Sequence, residues 1–525
     1  MLAALALLEL ALVSEPLPQV PAPSAGAGEA VRFERLHYRD RVERDGRQIR
    51  EIEVKVHLGT AQGVAEFGQV GLLYIDGYGD VRFEDVVIEK PDSRRVEVKT
   101  GVVEDLNPFG VSGTSLPADL RFKKLTIPGL EPGDRLSYRM LNRQKALAPG
   151  HAFGEMKLPA VVGGALQTYE LDLPRDAGIK VRLREGLDAS WEEVPSSADR
   201  LVRRLTLKVE LPTVAQPEIT KDDLRKWVEP DVIFTSFRSW SEVSGWWWEI
   251  SKDRLKPDTA VAKEASGLAE AATAPREKIS ALHAFLAARI RYLNVSFGLG
   301  RMQPRPAPDV LLNRYGDCKD KHALLAALAA SLGLDVRPVL INSVRAALWD
   351  EVPSPQQFDH MISVVRLGPE PSDLLWLDAT NPFGGPGHLM PQLRDKRALL
   401  IEPTGESVLV RTPKDPPFVP RQEVALKAVL SPEGVLRGRI TWLFRSDAEF
   451  LLRAFFGSVP QEARISAAKE TLAKDWGEVI VENSHRLRPL GRFFPFPCRV
   501  RRGEGDPGEW KRAGPVGALS RIRST

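Results

Sequence analysis

The sequence predicts an α+β protein of several domains, with a β-sandwich-like domain followed by helices packed on an antiparallel sheet. Three observations lead to this prediction. The chain has 525 residues, more than one hydrophobic core accommodates. From residue 31 to about residue 209, runs of alternating or β-branched residues are separated by turns such as Asp45-Gly46 and Pro132-Gly133. After about residue 222 the apolar residues repeat with a helical period instead.

Composition excludes several classes of protein. Hydrophobic residues at 43% and charged residues at 27% are typical of a globular chain, which excludes general disorder. The two cysteines, Cys318 and Cys498, cannot build a disulfide framework, and the chain has neither a Cys-x-x-Cys nor a His-Glu-x-x-His motif. We therefore predict no metal and no cofactor.

The net charge of +3 is unevenly distributed. Residues 484–525 hold ten Arg and Lys against three acidic residues, a balance of +7, so the rest of the chain sums to −4. A body of this charge gives no electrostatic reason to expect nucleic acid as a partner.

The first 29 residues predict a signal peptide followed by a Pro/Ala linker. Residues 1–13 are apolar except for Glu9, and Ala25-Gly-Ala27 offers a small-residue cleavage site. The run is too short for a membrane span. We expect export, to the periplasm or cell envelope. A cytoplasmic location is the alternative, because no Lys or Arg precedes the run and Glu9 interrupts it.

Residues 30–212 are predicted to form the β-sandwich-like domain, and residues 213–410 the core. Five tryptophans open the core segment. They could line a ligand groove, but we favour the packing seam of a helix. Helices are predicted over Val261–Ala272, Pro275–Arg291 and Ala307–Asn313. The tryptophans are Trp227, Trp240, Trp246, Trp247 and Trp248.

The segment that begins at Tyr315 carries the strongest functional signal. Asp317 is a good N-cap for a helix that runs to Leu332, and Asp320 is its partner in a capping box. Cys318 then occupies the first helical position, where unpaired backbone N–H groups and the helix dipole favour a thiolate. Its polar flanks indicate a nucleophile and not a buried structural cysteine.

A hairpin downstream predicts the partners of this cysteine. Phe358–Leu367 and Leu374–Asp378 read as antiparallel strands, and the midpoint between His360 and Asp378 falls inside the turn. The two side chains should therefore be cross-strand or diagonal neighbours. A carboxylate that holds one ring nitrogen leaves the other nitrogen to face the thiol.

Other histidines and acids were weighed against this pair. His322 lies four residues from Cys318 on the same helix face and is the alternative base, but no carboxylate stands at an obvious spacing to orient it. Asp359 should point to the opposite face of the strand, into solvent. His388 is interpreted as structural.

At these residues the chain resembles the transglutaminase-like superfamily, whose core is a circular relative of the papain fold. The resemblance rests on Gly316-Asp-Cys-Lys-Asp320, Phe358-Asp-His360 and Trp376-Leu-Asp378. Ile290-Arg-Tyr292 and the segment 297–304 resemble the bacterial branch, in which the domain of unknown function 3857 precedes the core. Residues 31–210 resemble that domain, and family members are often exported.

The resemblance implies thioester chemistry at Cys318, His360 and Asp378, with hydrolysis or acyl transfer to an amine. The main-chain N–H of Cys318 is the natural oxyanion donor. Gln303 is a further candidate donor on its placement alone. The expected partner is a protein or peptide substrate. The alternative is a non-catalytic binding or assembly protein that uses the β-sandwich-like domain and keeps the core as a scaffold.

The end of the chain is predicted to be an incomplete β-containing domain. Glu423–Phe444 reads as two strands around residues 431–434, and Asp447–Trp476 is largely helical, within a partial domain over 411–483. Residues 484–525 show neither period. They are either a disordered basic tail or the product of a shifted reading frame that replaced the last strands. We favour the second, because proteins of the superfamily that the chain resembles usually continue with ordered β structure there.

Overall fold

A computed structural model of the chain describes most residues between 30 and 500. The described residues are 30–99, 103–106, 120–158, 166–187, 189–208, 229–293, 302–368, 373–404, 407–432, 436–458, 460, 463–466, 469–470, 479–481 and 494–500. The predicted signal peptide and linker (1–29), Trp227, the motif segment 297–301 and residues 501–525 lie outside these ranges. Among the described residues, no helix is long and apolar enough to cross a membrane.

The chain divides into two units, one ending at Asp415 and the other beginning at Pro416. The strands of the first part of the chain are β1 (Val31–Val42), β2 (Gln48–Leu58), β3 (Gln69–Ile75), β4 (Gly79–Glu89), β5 (Arg95–Glu97), β6 (Val103–Leu106), β7 (Leu120–Thr126), β8 (Arg135–Gln144), β9 (Phe153–Met156), β10 (Leu166–Pro174), β11 (Lys180–Leu183), β12 (Trp191–Val194), β13 (Arg200–Lys208) and β14 (Val232–Thr235). A short helix, α1 (Ala61–Phe67), lies among them and was not predicted.

Most of these strands form one sheet of eight, in the order β12-β13-β10-β1-β2-β8-β4-β5. Strands β1 and β10 are parallel, and the other neighbours are antiparallel. Alternate side chains of β1, such as Leu36 and Tyr38, are buried because a strand presents every second residue to the same face. The prediction of a β-rich front is confirmed.

Strand pairing crosses the predicted domain boundary at residue 212. Strand β14, which belongs to the predicted core segment, pairs with β9 on one side and β11 on the other. Its Val232 and Phe234 are fully buried in the core of the β-rich region. The β-rich region and the core therefore share a three-stranded sheet, a non-local pairing that periodicity along the chain does not reveal.

The core consists of helices packed on an antiparallel sheet, as predicted. Its helices are α2 (Trp240–Ser251), α3 (Thr259–Leu268), α4 (Pro275–Arg289), α5 (Ala307–Asn313) and α6 (Cys318–Ala330). Its strands are β15 (Arg291–Tyr292), β16 (Tyr315–Gly316), β17 (Val336–Ile341), β18 (His360–Arg366), β19 (Leu374–Leu377), β20 (Arg397–Ile401) and β21 (Ser407–Arg411), with short 3₁₀ turns at Pro355–Gln357 and Pro391–Leu393. The main sheet has the order β19-β18-β17-β20-β21.

Helix α6 is the central element of the core. Nearly all its residues are buried, which is typical of a helix that contacts other elements on every side. Leu324 and Leu328 pack with Leu282 of α4 and with Val365 and Leu377 of the sheet in one apolar cluster. The tryptophans behave as the predicted packing seam, because Trp240 and Trp247 are buried in a second cluster with Phe237 and Phe358.

Among its described residues, the unit after Asp415 contains the two predicted strands and two that were not predicted. Its elements are β22 (Arg421–Leu430), β23 (Leu436–Arg445), α7 (Asp447–Ser458), β24 (Val479–Val481) and β25 (Phe494–Val500). Strand β25 pairs with β23 and β24, which corrects the prediction of an irregular tail for these residues. Pro495 and Pro497 made the segment a poor strand candidate, whereas pairing with β23 and β24 decides its conformation.

Candidate active site

Cys318 occupies the first position of α6, as predicted. The side chain of Asp317 accepts hydrogen bonds from the backbone N–H groups of Lys319 at 3.1 Å and Asp320 at 3.2 Å. Asp320 completes the capping box through a bond from the Asp317 N–H at 3.2 Å. This local exchange of hydrogen bonds sets the start of the helix and keeps Cys318 at its N-terminus, partly exposed.

The residues around Cys318 are charged, buried and paired. Lys319, 4% exposed, forms an ion pair with Asp317, and the pKa of Asp317 is raised above its ordinary value chiefly by burial. Asp320 also accepts a hydrogen bond from the backbone N–H of Arg305 at 2.7 Å. Gly316 is required by this packing, since a Cβ there would lie 2.5 Å from the Cβ of Asp320.

His360 and Asp378 lie together, which confirms the prediction that they are neighbours. His360 is the first residue of β18, and Asp378 follows directly after β19. The distance between His360 Nε2 and Asp378 Oδ2 is 3.2 Å. With Nε2 engaged by the carboxylate, Nδ1 is the ring nitrogen left for the thiol of Cys318.

Asp378 is held as a carboxylate in the interior. It is 2% exposed, so burial by itself would raise its pKa. The charge and hydrogen bond of His360, together with two hydrogen bonds from Thr380, outweigh burial and lower the pKa of Asp378 to about 2. Thr380 donates from its backbone N–H at 2.9 Å and from its hydroxyl at 2.6 Å, both to Oδ1.

His360 is held in its protonated form. Burial would lower the pKa of its imidazole, but the charge and hydrogen bond of Asp378 and the hydrogen bond and charge of Cys318 raise it well above the ordinary value. Cys318 is among the groups that raise this pKa, so its side chain lies near the imidazole. Cysteine, histidine and aspartate are thus brought to one place by the N-terminus of α6 and the β18–β19 hairpin.

His322 does not share this site, although it is one helical turn from Cys318. It is 1% exposed, and its Nδ1 lies 2.8 Å from the Ser363 hydroxyl. Burial, with a smaller contribution from the charge of Arg337, lowers its pKa to about 3, so the ring is neutral. Within the described part of the chain, its Nε2 has no hydrogen-bond partner. His322 is a core residue, and the alternative that it is the base is not supported by the structure.

Two buried side chains support the backbone beside Asp378 and were missed from the sequence. His283 Nε2 lies 3.0 Å from the carbonyl oxygen of Asp378. Lys321 donates to the carbonyl oxygens of Ala379 at 3.1 Å and Leu286 at 3.2 Å. Burial lowers the pKa of Lys321 to about 8, although the charge of Asp378 opposes this shift. The only local sign of this role was that Lys321 directly follows the motif Gly316–Asp320.

The remaining candidates have structural partners. Gln303 donates from Nε2 to the carbonyl oxygen of Ile250 at 2.7 Å, so one N–H of its amide is engaged by the backbone. Asp359 is exposed and accepts two hydrogen bonds from Ser343, at 2.6 Å from the backbone N–H and 2.8 Å from the hydroxyl. His388 is buried, consistent with a structural residue. Among the described residues, no cluster of three or more His, Cys, Asp or Glu could hold a metal ion.

Comparisons with known proteins agree with this architecture. A family model described as a domain of unknown function with a solved structure, DUF3857, matches residues 44–210, and the transglutaminase-like superfamily model matches residues 262–357. The second match includes Cys318 but ends before His360, so the assignment of His360 and Asp378 rests on geometry. No curated protein matches the chain.

Two solved structures are among those that match the chain. A proposed protease from Parabacteroides distasonis is 12% identical, with a TM-score of 0.55, over 73% of this chain and 72% of that chain. A proposed cysteine protease from Cytophaga hutchinsonii is 13% identical over 64% of this chain and 76% of that chain, with a TM-score of 0.19. The likeness to the Parabacteroides distasonis structure shows the fold. The two family models match the β-rich region and part of the core. Residues 262–357 thus belong to the transglutaminase-like superfamily, and a domain of unknown function 3857 precedes them over residues 44–210.

Proposed function

We propose that this protein is a cysteine enzyme that acts on amide bonds of protein or peptide substrates through a thioester. The observation that carries the proposal is that His360 is hydrogen-bonded to Asp378 and interacts with Cys318 at the N-terminus of α6. A thiol at a helix N-terminus beside a protonated imidazole is favoured as a thiolate, and the thiolate is the nucleophile. A buried carboxylate on the far ring nitrogen fixes the tautomer and orientation of the imidazole.

The acylation step follows from this arrangement. The sulfur of Cys318 forms a bond to the amide carbonyl carbon, and the carbonyl oxygen becomes an oxyanion. The backbone N–H of Cys318 is the proposed oxyanion donor, since Asp317 caps the N–H groups of Lys319 and Asp320 instead. The carbon–nitrogen bond then breaks, and His360 donates its proton to the leaving amine. The products are a thioester on Cys318 and a neutral imidazole.

Deacylation returns the site to its starting state. His360, now neutral, takes a proton from water or from a second amine as that nucleophile attacks the thioester carbonyl carbon. The bond between sulfur and carbon breaks, which regenerates the thiolate and the imidazolium. Water gives hydrolysis, and an amine gives transamidation. Asp378 stays ionised throughout, consistent with its lowered pKa.

The proposal is tested first by the reactivity of the thiol, which needs no knowledge of the substrate. Alkylation of Cys318 by iodoacetamide near pH 6 should be fast, because the proposed nucleophile is a thiolate paired with the His360 imidazolium. It should slow by about ten-fold or more in His360→Ala, the factor that one unit of pKa represents. Equal rates in the two proteins would remove the case for a Cys–His pair.

The reaction itself is tested with an acyl donor peptide, with and without a labelled amine, and with Cys318→Ala as the control. Incorporation of the amine that requires Cys318 means transamidation. Release of the acid without incorporation means a peptidase or amidase. A reactive Cys318 that processes neither substrate contradicts the enzymatic proposal and favours the binding or assembly protein.

A further inference from the structure

The loop that leads into the catalytic histidine is held by the β-rich region. This loop, residues 342–359, connects β17 to β18 and ends at His360, whose backbone pairs with Ile341. It contacts the three-stranded sheet of β11, β14 and β9. Strands β9 and β11 belong to the part of the chain matched by the domain of unknown function. That domain therefore contacts the segment that places His360.

Trp349 is the centre of the contact. The guanidinium carbon of Arg182, on β11, lies 4.1 Å from the centre of the Trp349 ring. The guanidinium carbon of Arg345, within the loop, lies 5.4 Å from it. Both arginines are largely buried, so these cation–π contacts are shielded from water. Such contacts are stronger when they are desolvated than at exposed sites.

Carboxylates compensate the two guanidinium charges. Arg182 pairs with Glu229 at 3.1 Å and with Glu351 of the loop at 3.2 Å. Arg345 pairs across the contact with Glu155 of β9 at 3.2 Å. Without these carboxylates, two like charges beside one indole would repel each other, so the contact depends on groups from both sides.

The loop transmits this anchorage to His360. The Gln357 side chain accepts a hydrogen bond from the backbone N–H of Trp349 at 2.9 Å. It donates to the backbone carbonyl oxygens of Trp349 at 2.9 Å and Val352 at 2.7 Å. The Gln357 carbonyl accepts from Asn342 Nδ2 at 2.8 Å and Arg345 Nη2 at 3.3 Å. Gln357 is fully buried and lies three residues before His360.

A second contact holds the loop between Trp349 and His360. The buried Thr235 hydroxyl, on β14, donates to the carbonyl oxygen of Pro353 at 2.9 Å. Phe358, between Gln357 and His360, is buried with its ring centre 5.5 Å from that of Trp240. A displacement of the loop at Trp349 would therefore be passed to the residues immediately before His360.

We propose that Trp349 and Arg182 are positioning residues for His360. One function of the preceding domain is then to supply Arg182, one of the two arginines that contact the Trp349 ring. The inference rests on the proposed function, since it gives His360 its task. The imidazole must stay within hydrogen-bond reach of both Asp378 and Cys318, and a displacement of about 1 Å at a reacting group costs up to roughly 100-fold in rate. Trp349 and Arg182 act through the loop and do not touch the reacting atoms.

The test compares Trp349→Ala and Arg182→Met with the wild type in the full chain. Two readouts are used: iodoacetamide alkylation of Cys318 from about pH 5 to 10, and hydrogen exchange of the segment 355–366. We expect alkylation near pH 6 to fall by roughly ten-fold. Near pH 10, where any accessible thiol is ionised, the rates should converge on the wild-type rate. Exchange of the segment should be faster in both variants.

Matched variants separate positioning from a general loss of stability. Trp349→Phe keeps an aromatic ring for the guanidinium groups and should retain most of the low-pH rate. Arg184→Met removes a similarly buried arginine two residues away, which pairs with Asp231 at 2.7 Å, and should leave the pH profile unchanged. A low-pH rate that stays at the wild-type level in Trp349→Ala and Arg182→Met overturns the inference, even if exchange becomes faster. So does an equal loss in Arg184→Met.

The two proposals fail in different ways. If His360→Ala is alkylated as fast as the wild type near pH 6, the Cys–His pair is absent, and the proposed function and this inference both fail. If His360→Ala is slow while both loop variants match the wild type, only the positioning role is overturned.

Discussion

His360 and Asp378 are diagonal partners across the β18–β19 hairpin, joined by a distance of 3.2 Å between Nε2 and Oδ2. The register pairs Ser363 with Leu377, so the position directly opposite His360 belongs to residue 380. Asp378 lies just past the end of its strand, where its backbone can turn and its second carboxylate oxygen can accept the two bonds from Thr380. The strand end thus leaves the carboxylate free to orient the imidazole while Thr380 fixes its rotamer.

Asp378→Asn should weaken the low-pH reactivity of Cys318. The pKa of His360 is raised above its ordinary value mainly because the charge of Asp378 outweighs burial. Without that charge the imidazolium is less stable at neutral pH, and alkylation near pH 6 should fall by about ten-fold or more. The rate near pH 10 should match the wild type. An unchanged pH profile would show that Asp378 does not act on His360.

His322→Gln should affect acid stability and spare the thiol. His322 has a folded-state pKa of about 3 against an ordinary 6.5, so between these values the unfolded chain binds more protons. The wild type should therefore lose about 3 kcal/mol relative to the variant between pH 6.5 and pH 4, measured by urea denaturation. Cys318 alkylation should stay near the wild-type rate. If His322→Gln slowed the alkylation of Cys318 as much as His360→Ala, His322 would be the base.

Asp317→Asn should destabilise the protein although asparagine is a good N-cap. The substitution leaves the buried ammonium of Lys319 without its carboxylate, which costs about 3–5 kcal/mol. Adding Lys319→Met should recover most of this loss in the free energy of unfolding. The surface pair of Asp335 and Arg337 offers the control, and Asp335→Asn should cost less than about 1 kcal/mol. Equal effects of Asp317→Asn and Asp335→Asn would contradict the buried-pair interpretation.

Lys321→Met should change the dependence of stability on alkaline pH. Burial lowers the pKa of Lys321 from 10.5 to about 8, so between these values the unfolded chain binds the extra proton. The wild type should gain about 3 kcal/mol relative to the variant as the pH rises from 8 to 10.5. Lys263→Met, at an exposed position of α3, is the control and should show no such change. If the difference in free energy of unfolding between the wild type and Lys321→Met stays constant across this range, folding does not lower the pKa of Lys321.

The start of α6 was predictable because its cause is local. The capping box of Asp317 and Asp320 is encoded within four residues, and it alone determines that Cys318 stands at the helix N-terminus. The proximity of His360 and Asp378 was predictable for a related reason. A hairpin with a short turn brings positions of constant sum together, whatever surrounds it.

Non-local contacts produced the features that the sequence did not reveal. Strand β14 was assigned to the core, yet it completes a sheet with β9 and β11 from the preceding domain. Strand β25 contains two prolines, and only its pairing with β23 and β24 makes it a strand. The contact of Trp349 with Arg182 joins residues far apart in the chain and has no periodic signature.

Spacing along the chain was enough to predict the proposed catalytic residues: a cysteine at a capped helix start, and a histidine and an aspartate at the ends of adjacent strands. Only the folded protein distinguishes the two candidate histidines. His322 is buried and His360 is largely buried, but burial leaves His322 neutral, whereas Asp378 beside His360 holds its imidazole protonated. Desolvation and charge pairing depend on the full three-dimensional surroundings of a group. They cannot be read from spacing along the chain, and they distinguish the proposed catalytic histidine from the structural one.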